Sequence, residues 1–105
     1  MSRRYFEITL HVPIGERRGK LWLERNDNLI QGILEVMGHR NVFTGSVGTD
    51  GMVEVKGNLL TLMRTLSYTA LGCLDAETLR LDLNIQGSRL KYYIEGNEVD
   101  DEKML

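Results

Sequence analysis

Cysteine is nearly missing from this chain. Cys73 stands alone, so no internal disulfide can form. A zinc site would have to be assembled from His11, His39 and carboxylates. Nothing in their spacing suggests one, and no metal is expected. Proline occurs once, at Pro13. No stretch approaches the ~18 consecutive apolar residues that cross a bilayer. The opening MSRRYFEITL has two arginines, but Glu7 and Thr9 break up its apolar residues, so it does not read as a secretory signal. A cytoplasmic location is expected, in keeping with a lone thiol, and no membrane partner. A strong charge of one sign is also lacking. The formal net charge is −2, and no basic stripe runs along the chain, which argues against nucleic acid as a partner. There is no glycine-rich phosphate loop, no HExxH motif and no paired catalytic carboxylates. No catalytic residue is nominated, an enzyme is disfavoured, and any cofactor is unknown.

What is present is alternation. Apolar and polar side chains take turns along Tyr5–Val12 (Phe6, Ile8, Leu10, Val12), Thr78–Gln86 (Leu79, Leu81, Leu83, Ile85) and Arg89–Glu95 (Leu90, Tyr92, Ile94). A period of two places successive side chains on opposite faces of a strand. Weaker versions occur at Lys20–Arg25, Ile30–Met37, Val42–Thr49, Met52–Lys56 and Leu66–Leu74.

Turn chemistry separates these segments. Gly15 to Gly19 would close the first hairpin after Pro13. Asn26-Asp27-Asn28, Asp50-Gly51, Asp75-Ala76-Glu77 and Gln86-Gly87-Ser88 would close later ones. Connections this short join antiparallel neighbours, because parallel strands need long crossovers. One segment breaks the pattern. In Asn58–Leu66, Leu59, Leu62, Met63 and Leu66 fall on one helical face, with Asn58 able to cap it. The fold class is therefore all-β: an antiparallel meander of about seven or eight short strands, closed or half-closed into a small barrel, with one short helix near 58–66. The alternative is α+β, an open sheet with that helix on one face. A single domain over 1–97 is expected, followed by an acidic, frayed tail at 98–105.

On these registers the inner face is almost wholly apolar, which disfavours a polar catalytic centre inside. It also carries Gly32, Gly45, Ala70 and Gly72. Such glycines let a sheet bend and close; alternatively they leave room for an apolar ligand. The plan resembles lipocalin-like or avidin-like barrels in pattern only, and no family motif can be matched residue by residue.

Three residues are candidate ligand contacts. Arg64 is the charged residue in the otherwise apolar run Leu59–Leu66, Tyr68 follows in a hydroxyl-rich stretch, and His39 sits in a polar turn. Cys73 has no base brought beside it and reads as an inert thiol. The outer face carries Trp22, Leu29, Ile33, Met37 and Val42 on consecutive strands, with Met52 beyond them. Monomers rarely expose a large apolar patch, so either the Asn58–Leu66 helix folds over it or a second copy covers it; the second is preferred, and these five are the expected interface of a homodimer. Two functions follow. The first is a non-enzymatic barrel binding a small apolar or amphipathic molecule. The second is an assembly protein with a filled core, working through the outer patch. A hollow interior would favour the first, and a packed interior the second.

Overall fold

The computed structural model describes residues 2–100 as one closed barrel of eight antiparallel strands. In chain order these are β1 (Ser2–Val12), β2 (Gly15–Asn26), β3 (Leu29–Val36), β4 (His39–Val47), β5 (Met52–Leu60), β6 (Thr65–Leu74), β7 (Thr78–Ile85) and β8 (Tyr92–Val99). Each strand pairs with its neighbours in sequence. The ring shuts where β1 lies antiparallel to β8, from Tyr5 opposite Val99 to His11 opposite Tyr93. Closure leaves no unpaired sheet edge.

The alternation governs the inside. In β6 and β7 every second residue is buried without a break. Phe6, Leu10, Leu21, Leu34, Leu59 and Ile94 are the largest side chains sealed completely from solvent. Burying a side chain of this size contributes roughly 1.5–3 kcal/mol, so the interior is the main source of stability. The core is one continuous cluster that runs the length of the barrel. The inward glycines are places where strands bend toward one another. A side chain on Gly32 would run into the carbonyl of Trp22, and one on Gly72 into the carbonyl of Arg80. Neighbouring backbone fills the space that an absent side chain leaves, so these glycines serve the sheet and do not open a ligand chamber.

The expected helix at 58–66 is absent. β5 continues to Leu60 and β6 begins at Thr65. Leu59 and Leu66 point into the core, whereas Leu62 and Met63 are 93% and 91% exposed. The helical spacing arose from a hairpin whose two arms each supply a leucine to the core. Thr61 fixes the tip: its hydroxyl donates to the Arg64 carbonyl at 2.8 Å and accepts from the Met63 and Arg64 amides. Strand 8 also starts later than the alternation implied. Leu90 is exposed and precedes Tyr92, in a connection held by the Leu90 amide donating to Ser88 Oγ at 3.1 Å. The first hairpin turns at Pro13-Ile14, ahead of Gly15–Gly19, which belongs to β2. Positive φ at Asp27, Gly51 and Gly87 matches the expected turns. The β3–β4 turn instead falls at Met37-Gly38, both at positive φ, so Met37 leaves the strand and His39, expected in a turn, belongs to β4. Of the expected tail, Glu98 and Val99 belong to β8, and residues 101–105 lie outside the described residues.

Candidate functional site

Strand registers assemble a site on the outer wall of the barrel. Tyr5 lies opposite Trp22, Trp22 opposite Ile33, and Ile33 opposite Val42. Tyr5 is also opposite Val99 on the far side. All of these side chains point outward, so five adjacent strands present one continuous apolar rung. Cross-strand neighbours sit about 4.5–5.5 Å apart at Cβ, close enough to make a single surface.

Charged rungs flank it on both sides. On one side Glu7, Lys20, Glu35 and Arg40 face one another in series, with Arg40 Nε 3.8 Å from Glu35 Oε2. On the other, Arg3 pairs with Glu24 at 2.9 Å and Gln31 donates to the same carboxylate at 3.2 Å. The Arg40 guanidinium reaches back over the Trp22 ring, 5.4 Å from its centre, a favourable cation–π arrangement. Between the rungs lies a hollow of about 470 Å³, lined by Arg3, Tyr5, Trp22, Ile33, Arg40 and Val42 among others. That volume lies within the range of small-molecule sites. A neighbouring hollow of about 900 Å³ is larger, but charges of both signs, such as Glu7, Arg18, Lys20 and Glu95, line it. It offers no comparable apolar floor.

Of the five residues expected at an interface, the fold brings together Trp22, Ile33 and Val42. Leu29 is at the start of β3, in a separate hollow beside Asn26 and Thr44. Met37 sits in the β3–β4 turn and packs partly on the core. Tyr5, Val99 and Arg3 join the site unforeseen, together with Arg40, the neighbour of His39. Placing the β1–β2 turn at Pro13-Ile14 would have put Tyr5 opposite Trp22, and that was the available signal.

The three candidate ligand contacts are spread out. Arg64 is exposed in the β5–β6 connection, beside a hollow of about 190 Å³ formed with Ser67, Gln86 and Ser88, and neither Tyr68 nor His39 lines it. Tyr68 belongs to the core, 5% exposed. Burial pushes its phenol up from 10.0 to about 12. His39 opens β4 opposite Val36.

Cys73 is exposed, with Sγ 3.4 Å from the Met52 Sδ. His11 stacks on Tyr93, which in turn lies under Arg80. Among the described residues no group of three or more His, Cys, Asp or Glu is placed to hold a metal ion.

Comparison with known proteins establishes likeness of fold. Among solved structures, a redesigned β-barrel, mFAP1, bound to DFHBI, superposes with a TM-score of 0.67, covering 90% of this chain and 92% of that one. The two share 13% of their residues, so the match speaks to architecture. No family model matches the chain, and no curated protein matches it either.

Proposed function

We propose that this chain is a non-enzymatic binding module for a small amphipathic molecule, held on the outer wall of the barrel. The carrying observation is the rung of Tyr5, Trp22, Ile33 and Val42 with the Arg40 guanidinium over the indole. A flat apolar group would lie on the rung, and an anionic group would meet Arg40 or Arg3. Neighbouring backbone occupies the space beside the inward glycines Gly32, Gly45 and Gly72, which argues against a site inside at those positions. The likeness to a barrel that is bound to DFHBI supports small-molecule binding as a use of this architecture. A lone exposed thiol suits work in the cytoplasm, where it stays reduced.

A second reading rests on the same surface. Val42 is 68% exposed within an apolar rung, and a second copy laid face to face would cover it as a homodimer.

Trp22 is the only tryptophan, so its emission reports on the site directly. Titration with anilinonaphthalene sulfonate, a flat apolar anion, should quench it saturably at one probe per chain. Ile33→Asp and Arg40→Glu should each weaken binding at least tenfold. Unchanged emission, or binding that both variants leave intact, would remove the ligand reading. Light scattering separates the second: a wild-type mass of two chains that falls to one in Ile33→Asp supports the dimer, and a single-chain mass in both excludes it.

A further inference from the structure

The up-and-down order of strands sorts the connections between the two ends of the barrel. At one end are the β1–β2, β3–β4, β5–β6 and β7–β8 connections (13–14, 37–38, 61–64 and 86–91). At the other are the β2–β3, β4–β5 and β6–β7 connections (27–28, 48–51 and 75–77). The charged residues of the first set are Arg64, Arg89 and Lys91. Those of the second are Asp27, Asp50, Asp75 and Glu77. The connections at each end are of one sign, although Arg4 and Arg25 reach into the second set, onto the Asp75 and Asp27 carbonyls, and Glu16 flanks the first.

The basic end is also apolar at its tips. Ile14 is 87% exposed, Leu62 93%, Met63 91% and Leu90 58%. They extend from three different connections at the same end. The hydrogen bonds of Thr61 fix the β5–β6 turn with Leu62 and Met63 facing outward, so their exposure is built into the turn. Among the described residues, Arg64, Arg89 and Lys91 make no ion pair. Arg3, Arg4 and Arg80 elsewhere are each paired with a carboxylate.

We propose that this end of the barrel docks on an anionic lipid surface. Ile14, Leu62, Met63 and Leu90 enter the boundary between headgroups and acyl chains, while Arg64, Arg89 and Lys91 meet the lipid phosphates and carboxylates. Stable attachment to a bilayer generally takes two signals, apolar insertion and a basic patch; both are present on one end. At the opposite end four connection carboxylates outnumber Arg4 and Arg25, which are engaged on the Asp75 and Asp27 carbonyls, so the charge distribution also favours this orientation. The absence of a long apolar run bears on crossing a bilayer, and docking requires none. The groove over Trp22 lies on the side wall, so this proposal and the ligand reading succeed or fail independently.

The test is co-sedimentation of the full chain with vesicles of phosphatidylcholine alone or mixed with phosphatidylserine, at low and high salt. Binding is expected to the mixed vesicles only, and to fall as salt rises. Arg64→Glu changes the charge by two units and should weaken binding about 25-fold, at roughly fivefold per unit. The pair Leu62→Ser and Met63→Ser should weaken it more than tenfold. Both changes lie at an exposed hairpin tip, so circular dichroism should match the wild type and a folding defect is separated from a docking defect. Failure to bind mixed vesicles would overturn the proposal, as would binding that both variants preserve. So would a two-chain mass in solution that the Leu62 and Met63 changes abolish, because that would assign the end to a second copy.

Discussion

The side-chain oxygen of Asn41 accepts a hydrogen bond from the main-chain N–H of Leu60 at 2.9 Å. The ladder between β4 and β5 stops at Phe43 opposite Gly57, and Asn41 bridges the two strands just beyond that point. Its amide nitrogen donates to the Leu34 carbonyl at 3.0 Å and the His39 carbonyl at 3.3 Å. Among the described residues it is the one buried amide or charged side chain, and it ties three strands together.

Asn41→Leu should therefore destabilise the barrel by about 2–4 kcal/mol, since main-chain groups in a buried setting lose partners. Urea unfolding would give the size of the loss. Amide hydrogen exchange at Leu60 should accelerate with it. A variant as stable as the wild type would show that the bridge carries no load.

The two leucines nearest the β5–β6 tip should behave oppositely. Leu59 is fully buried and Leu62 is 93% exposed. Leu59→Ala should cost about 2–5 kcal/mol, and Leu62→Ala less than about 0.5 kcal/mol. Thermal melts of the two variants check this. A helix over the segment would have put both on one face and given similar losses.

Tyr68 makes stability depend on alkaline pH. Its phenol holds the proton up to about 12 in the folded chain, because burial penalises the phenolate. In the unfolded chain the proton leaves near pH 10. The folded state thus binds the proton more tightly. The stabilising contribution is complete below pH 10 and is lost as pH climbs through 12, by about 3 kcal/mol in all. Absorbance titration of the phenolate and denaturant midpoints across this range should show it, and Tyr68→Phe should flatten that part of the curve. An equally steep loss in Tyr68→Phe would assign the effect to other groups.

Much of the barrel was legible because one face of each strand is oil and the other water. Leu79, Leu81, Leu83 and Ile85 fix the sides of β7 without any knowledge of their neighbours. Trp22, Ile33 and Val42 were likewise readable as an outward apolar set. Register was harder. Tyr5 and Val99 join that set only through pairings that depend on where the first turn falls and on β1 meeting β8, a contact between residues far apart in the chain. Leu59, Leu62, Met63 and Leu66 misled for a related reason. A hairpin that buries one leucine on each arm can imitate helical spacing by chance, and nothing local distinguishes the two. Leu90 misled because alternation continues past the point where Ser88 has already turned the chain. The charge separation was hidden as well, because successive turns alternate between ends, and any count along the chain mixes them.

A ring joined between its first and last strands has a consequence for its birth. Residues 5–11 have no outer neighbour until 93–99 exist to be paired with. On the ribosome the nascent sheet must wait with both borders bare until residues 93–99 have emerged. Contacts this distant in sequence also form slowly, so the period of greatest danger for this protein comes before closure, when it is most exposed to sticking to other unfinished chains.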